Sequence, residues 1–261
     1  MFGWSVVREL IDYRELLKNL VLKDLKLRYR ESVFGFLWSL LNPLMMLTVY
    51  TVVFTKIFKV QMPNFAYFLM VGVLPWNFFA SSVLGSTGSI VGSGGLIRKV
   101  YFPLEILPIA TVLFCLAQFL LAMSVVVPAA MIVLGIAPTW AALLFLPLLL
   151  LHLLFTIGLA FILSAVTTWF RDVAHLTEVA LMLLFWVTPV IYSAEMMPPG
   201  LRRVIKVSPL AAFTMAYQDV LYHGRVPHLS QVLILLAWTF AVLTAGHTVF
   251  RRYRGQFAEL V

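Results

Sequence analysis

The sequence predicts an all-α integral membrane protein with six transmembrane helices. Of its 261 residues, 62% are hydrophobic and only 11% are charged, whereas soluble domains carry about 25% charged residues. The hydrophobic residues form stretches of the length needed to cross a bilayer, roughly 20 residues each. Lys and Arg are distributed unevenly between these stretches, which is typical of a chain that crosses a membrane repeatedly.

The first 33 residues predict a basic amphipathic helix. Apolar side chains recur there at three- and four-residue steps, at Leu10, Tyr13, Leu17, Leu20 and Val21. Basic residues stand between them, at Arg14, Lys18 and Lys23. This pattern suits a helix that lies in the membrane interface. A solvated helix packed against another cytosolic subunit fits the pattern equally well.

Six predicted spans follow this helix. Their ranges are 34–58, 65–91, 106–134, 140–170, 176–192 and 229–250. The second span contains Gly72, Pro75, Gly85 and Gly88, and backbone groups freed at such residues cannot face lipid unsatisfied. The second span is therefore expected to be broken or covered by protein.

Both chain ends are predicted to be cytoplasmic. Most of the 19 Lys and Arg residues lie before the first span, in the second-to-third and fourth-to-fifth connections, and after the last span. In a six-span chain these segments share one side, and an excess of Lys and Arg marks the cytoplasmic side. The net charge of +8 is therefore assigned to contacts with anionic lipid headgroups rather than to nucleic acid.

The connection between the fifth and sixth spans, residues 193–228, predicts short re-entrant helices on the external side. Pro198, Pro199 and Gly200 interrupt this connection, and apolar residues then recur at roughly helical spacing. A segment of this kind can dip back into the outer leaflet where protein covers its backbone.

The sequence contains few groups that could perform chemistry inside a membrane. It has no phosphate-binding loop ending in Gly-Lys-Ser or Gly-Lys-Thr, which excludes ATP binding by that route. The polar residues within or beside the spans are Gln118, His152, Glu178 and His247. A proton- or ion-coupled transporter would need acidic residues near mid-membrane. Gln118 and His152 are interpreted as hydrogen-bond partners between helices.

Aromatic residues on the first and fifth spans are candidates for a channel lining. They are Trp38, Tyr50, Phe54, Phe185, Trp186 and Tyr192. Sugars present flat apolar faces that stack on aromatic rings, so such a lining suits a glycan better than an ion. An alternative role for these residues is anchoring at the lipid headgroups.

Four blocks of the sequence carry a family resemblance. They are KDLKLRYRESVFGFLW at 23–38 followed by Asn42-Pro43, GVLPWNFF at 72–79, LIRKVYFPLEILP at 96–108 and FRDV at 170–173. Together and in this order they resemble type 2 ATP-binding-cassette (ABC) permeases that export O-antigen and teichoic acid polysaccharides. The similarity covers nearly the whole chain.

The resemblance implies a homodimer in the bacterial cytoplasmic membrane that pairs with a separate ATPase subunit in a heterotetramer. ATP and Mg would bind to that ATPase, and this chain would hold no cofactor. The implied parts are an interface helix at 1–33, a transmembrane domain at 34–250 and a cytoplasmic tail at 251–261. A coupling helix at about 94–105 would contact the ATPase through Leu96, Ile97, Arg98, Lys99, Val100 and Tyr101. Arg171 and Asp172 would form a second contact.

Arg28 and Arg30 are the candidates for binding the substrate's pyrophosphate. In the family the amino-terminal helix lies at the membrane surface beneath the channel entrance, and guanidinium groups bind phosphate through paired hydrogen bonds. Contact with ordinary lipid phosphates explains the two residues equally well.

The function implied is that of a channel for an undecaprenyl-diphosphate-linked polysaccharide, driven by ATP hydrolysis in the partner. Export of teichoic acid, a drug or a small lipid by the same architecture is an alternative. An intramembrane enzyme acting on lipid-linked sugars is a further one. It would require clustered Asp, His or Arg side chains, and only Arg171 with Asp172 and His175 with Glu178 come near that pattern.

Overall fold

The computed structural model describes residues 11–29, 38–205 and 207–261, and this part of the chain contains helices and no β-strand. Four of its helical segments are long and apolar enough to cross a membrane: Phe65–Thr87, Ile106–Leu134, Trp140–Trp169 and Leu229–Leu260. They match four of the predicted spans. Two further apolar segments, Leu41–Ile57 and Val173–Val187, are shorter.

The helices are numbered here in chain order. They are α1 (Arg14–Tyr29), α2 (Trp38–Val52), α3 (Phe65–Thr87), α4 (Gly94–Ile97), α5 (Ile106–Leu134), α6 (Phe145–Trp169), α7 (Val173–Val187), α8 (Pro199–Ile205), α9 (Pro209–Tyr217), α10 (Leu229–Tyr253) and α11 (Phe257–Leu260). A π-helical turn, Val53–Ile57, extends α2, and another, Gln218–Tyr222, extends α9.

Helix α3 lies at the centre of the molecule, in contact with α2, α5, α6, α7 and α9. It runs unbroken through Pro75, so the second span is covered by protein rather than broken. A Cβ atom on Gly72 would lie 2.4 Å from the carbonyl oxygen of Val190. The absence of a side chain at Gly72 therefore lets the chain that leaves α7 lie directly against α3.

Helices α6 and α10 cross with their backbones in close contact. A Cβ atom on Gly246 would lie 2.1 Å from the carbonyl oxygen of Gly158, and a Cβ on Gly158 would lie 2.7 Å from the backbone nitrogen of Leu243. Small residues at a crossing let two backbones touch, which is how helices pack in lipid.

Helix α1 packs one side against α5. The partly buried residues on that side are Tyr13, Leu16, Leu17, Leu20, Val21 and Leu25. They recur at three- and four-residue steps, so they form one stripe of the helix. Leu22 and Leu27, off this stripe, are exposed.

Two predicted segments are shorter than expected. The fifth span was expected to reach residue 192, but α7 ends at Val187 because Thr188, which precedes Pro189, is extended. The coupling helix was expected over 94–105, but the only helix there, α4, has four residues. Pro103 favours an extended conformation in the residue before it, and the chain from Tyr101 to Pro103 has no regular structure.

The region predicted as re-entrant contains two short helices, α8 and α9. Pro209 occupies the first turn of α9, where a missing N–H costs nothing. The side chain of Gln218 donates a hydrogen bond of 2.8 Å to the carbonyl of Pro189. Tyr67 on α3 donates one of 3.2 Å to the carbonyl of Leu221. These bonds tie the end of α9 to α3 and to the segment after α7.

Candidate functional site

Two adjoining cavities open between α2, α3, α5 and α7. The first, of about 210 Å³, is lined by Arg28, Asn42, Pro43, Met46, Leu74, Asn77, Phe78, Ser81, Cys115, Gln118, Phe119 and Ala122. The second, of about 380 Å³, is lined by Met46, Tyr50, Trp76, Asn77, Ala80, Ser81, Leu84, Glu178, Leu181, Met182, Phe185 and Trp186. Met46, Asn77 and Ser81 line both, so we describe them together as the inner groove.

Polar side chains from three helices meet in the inner groove. Asn77 and Ser81 are one turn apart on α3 and therefore project from the same face. Asn42 reaches the groove from α2 and Gln118 from α5. The amide nitrogen of Gln118 is buried and makes no hydrogen bond with the described residues. Because a buried amide normally has a partner, this donor is available to a ligand or to water in the groove.

Arg28 lies at one end of the inner groove, near the carboxyl end of α1. Its guanidinium carbon is 5.8 Å from the centre of the Phe114 ring on α5, a distance at which a cation is attracted to an aromatic face. Helix α1 thus places a permanent positive charge on the first cavity. Arg30, the other candidate for phosphate binding, lies outside the described residues.

The predicted aromatic lining is only partly brought together. Tyr50 and Phe185 stack with ring centroids 6.2 Å apart, and Trp186 contacts Phe185 at 5.6 Å. All three line the second cavity, joined by Trp76, whose ring is 5.6 Å from Phe185. These four rings form an aromatic wall of the inner groove.

The other three predicted aromatics lie outside the residues that line the groove. Phe54 packs against Phe58 at 5.3 Å and Phe65 at 5.8 Å. The Tyr192 hydroxyl donates to the carbonyl of Trp186 at 2.8 Å and closes the carboxyl end of α7. Trp38 is exposed at the start of α2.

Sequence reasoning did not single out Asn42, Trp76, Asn77 or Ser81 as site residues. All but Ser81 stand inside or beside the quoted blocks. The pattern that could have indicated them is the pair Asn77 and Ser81, two polar residues one turn apart on an otherwise apolar helix. Gln118 and Glu178 were noted as polar outliers, and both line the groove.

His152 belongs to the packed interior. Its Nδ1 atom is 3.3 Å from the Tyr217 hydroxyl, and its ring stacks on Phe213 with centroids 4.5 Å apart. Both partners are on α9, so His152 joins α6 to α9. This agrees with its predicted role as a hydrogen-bond partner between helices.

The residues predicted to contact an ATPase divide into two groups. Leu96 and Ile97 pack against the core, whereas Arg98, Lys99, Val100 and Tyr101 are exposed. Tyr101 is 97% exposed. Arg171 and Asp172, between α6 and α7, are exposed as well. Leu96 and Ile97 thus hold this segment against the core, and its exposed side chains form a charged and aromatic surface.

A third cavity, of about 630 Å³, lies between α8, α9 and the start of α10. The Asp219 carboxylate accepts a hydrogen bond of 2.7 Å from Arg225 on its wall. Arg202 donates to the carbonyl of Ala194 at 3.0 Å. Partial burial and the charge of Arg225 lower the pKa of His223, while the carboxylates of Asp219 and Glu195 oppose this shift.

The fold is that of a multi-span membrane protein, and its inner groove is lined by amides, a guanidinium and aromatic rings. The sequence profile described as "ABC-2 type transporter" matches residues 15–222. The chain belongs to the ABC-2 type transporter family. The predicted family is therefore confirmed, and with it a transport subunit that works with an ATPase in a membrane.

Individual relatives cover nearly the full length of the chain. An "O-antigen export system permease protein RfbA" of Myxococcus xanthus is 37% identical over 98% of this chain and 99% of its own. A protein of the same description from Klebsiella pneumoniae is 32% identical over 95% of each chain. The "Polysialic acid transport protein KpsM" of Escherichia coli is 23% identical over 89% of this chain and 91% of its own.

Proposed function

We propose that this chain is the channel-forming subunit of an exporter that moves a polysaccharide linked to undecaprenyl diphosphate across the bacterial cytoplasmic membrane. The observation that carries the proposal is the near full-length similarity to permeases described as O-antigen export proteins. The inner groove supports it, since its polar and aromatic lining suits a glycan.

Each part of the inner groove matches a part of such a substrate. Arg28 would bind pyrophosphate oxygens, for which a guanidinium is well suited. The amides of Asn77 and Gln118 would exchange hydrogen bonds with sugar hydroxyls. The aromatic wall would stack on the apolar faces of sugar rings. The permease would make or break no bond in its cargo.

The proposed topology has six spans with both ends in the cytoplasm. Helix α2 and its π-helical turn cover residues 38–57, about 30 Å of helix, which suffices for a bilayer core. Helix α7 has 15 residues, about 22 Å, so residues 188–192, which form turns and bends, would complete the crossing. Helix α1 would lie at the cytoplasmic surface, and α8 and α9 would lie in the outer leaflet.

Two copies of the chain would pair with two ATPase subunits. The inner groove is bordered by α2 and α7, which carry exposed apolar side chains such as Met45, Val49 and Leu183. In a homodimer these surfaces would face the second copy and enclose the channel. The ATPase, which would bind ATP and Mg, would contact residues 98–101 together with Arg171 and Asp172.

The proposal is tested by reconstituting the chain with its ATPase in lipid vesicles and measuring transfer of a lipid-linked glycan. Transfer is expected only with the ATPase and ATP present. Arg28→Gln should slow it, because the charge at the groove is lost. Arg14→Gln, the same change at a position of α1 that does not line the groove, should leave it unchanged. Transfer by the chain alone without ATP would overturn the proposal.

A further inference from the structure

The chain after the last span does not extend into solvent. Residues 254–256 form a 3-10 turn, and α11 follows at Phe257–Leu260. We call residues 254–261 the C-terminal segment. Three separate contacts hold it against the cytoplasmic ends of the helices and against the predicted coupling segment, residues 94–105.

The first contact is an ion pair with the end of the coupling segment. The Arg254 guanidinium lies 3.2 Å from Oε1 of Glu105, whose side chain is only 3% exposed. Glu105 directly precedes α5. The other oxygen of this carboxylate makes no hydrogen bond with the described residues. Since a buried carboxylate needs a compensating charge, Arg254 links residue 105 to the end of α10.

The second contact fixes the C-terminal segment itself. The side chain of Phe257 is 0% exposed, and its ring centroid is 5.2 Å from that of Phe250 on α10. Phe250 in turn contacts Phe161 on α6 at 5.2 Å. The segment is thus anchored in the interior by an aromatic ring, at the junction of two long helices.

The third contact reaches the beginning of the coupling segment. Arg98 donates a hydrogen bond to the main-chain oxygen of Val261. A Cβ atom on Gly94 would lie 3.3 Å from the Cβ of Val261. The coupling segment is therefore held at both ends, at 94–98 and at 105, by the same eight-residue stretch of chain.

We propose that the C-terminal segment is a brace that transmits movement of the coupling segment to α6 and α10. The proposal rests on the proposed function, in which an ATPase moves the exposed residues 98–101. Residues 101–103 have no regular structure, so a displacement there would be absorbed locally if only the covalent chain carried it. With the brace, the displacement moves the glycine crossing of α6 and α10 as well as α5.

The test uses the complete complex with its ATPase in vesicles. In Arg254→Gln the ATPase should copurify and hydrolyse ATP as in the unaltered complex, while glycan transferred per ATP falls at least about fivefold, the lower end of common coupling effects. Arg254→Lys should restore most of the coupling because it keeps the charge. Arg252→Gln removes an exposed charge from the last turn of α10, two residues away, and should change nothing.

Two results would overturn the brace. One is unchanged transfer per ATP in Arg254→Gln. The other is a parallel loss of ATPase copurification, hydrolysis and transfer in Arg254→Gln, which would show a role in folding or assembly alone. A variant that keeps the ion pair but alters the anchor, Phe257→Leu, should reduce transfer per ATP in the same way.

A second measurement needs no cargo. A cysteine at Val226, in the loop before α10, is followed with a thiol reagent, with and without ATP, and the chain whose single cysteine is the buried Cys115 gives the background labelling. ATP should change the labelling rate in the unaltered complex and not in Arg254→Gln. An equal ATP effect in both would overturn the brace. Absence of glycan transfer in the unaltered complex would overturn the proposed function and not the brace, since the labelling assay contains no glycan.

Discussion

Among single residues, Gly158 and Gly246 show most directly how sequence sets packing. Neither glycine occupies a turn; both lie within helices of 25 residues. They are needed because a side chain would not fit: the carbonyl of Gly158 occupies the position that a Cβ on Gly246 would take.

Gly246→Ala is expected to destabilise the protein by about 1–3 kcal/mol, the usual cost of overpacking, because the obstructing atom is backbone and cannot rotate away. The measurement is thermal unfolding in detergent. Gly88→Ala is the matched control, since nothing lies within 4 Å of its added Cβ. Equal midpoints for the two variants would contradict the close crossing.

Asn77 is the residue by which the role of the inner groove can be examined. Asn77→Leu is expected to leave thermal stability nearly unchanged, because the side chain is only partly buried and faces the cavity. Transfer of lipid-linked glycan should fall by about two- to tenfold, the worth of one net hydrogen bond. Asn19→Leu, at an exposed position of α1, should affect neither quantity. A large loss of stability in Asn77→Leu would assign the residue to folding.

Among the elements, α1 is a helix whose buried face was predicted from the sequence but whose packing partner was not. The periodic apolar residues indicated one buried stripe, and the structure buries that stripe against α5. An interface helix and a helix docked on another subunit were both compatible with the sequence. Contact with α5 of the same chain accounts for the stripe without a second subunit.

Leu20→Gln should weaken this docking and lower the unfolding midpoint by a few degrees, because a partly buried apolar side chain worth about 1–2 kcal/mol is replaced. Leu27→Gln makes the same chemical change where the side chain is 56% exposed and should be nearly neutral. Identical melting of the two variants would show that α1 is not held by its apolar stripe.

Where a helix ends depends on residues such as proline, and a hydrophobicity pattern does not show their effect. Thr188 and Pro189 end α7 five residues before the apolar run ends. Pro75 has the opposite outcome, because α3 continues through it where other helices cover the freed backbone. Proline has a different effect in each case, and the surroundings that decide the difference are distant in sequence.

At the scale of the whole molecule, the proposed topology makes a prediction about sidedness. Cysteines placed at Tyr101 and Val226 should react with an impermeant thiol reagent from opposite sides of the membrane. Both positions are exposed, and the single native cysteine, Cys115, is buried, so the chain without added cysteines gives the background labelling. Labelling is compared in right-side-out and inverted vesicles. Reaction of both positions from one side would contradict six spans with cytoplasmic ends.

The membrane setting, the helical class, four of the long spans and the family follow from the sequence alone. These properties depend on how many apolar residues follow one another and on blocks of neighbouring residues, so they can be recognised along the chain. Arg28, Tyr50, Phe185 and Trp186 were predicted as site residues from the sequence, and all four line the inner groove, while their roles stay predictions.

Which side chains share a site depends on the tertiary structure. Asn42, Asn77 and Gln118 come from three helices, and their meeting depends on how α2 and α5 pack around α3. The tertiary structure also shows that Phe54 packs against other rings and that residues 254–261 fold back onto the coupling segment. The physical reason is that helix packing is set by contacts between residues far apart in the chain, such as Gly158 with Gly246 and Glu105 with Arg254.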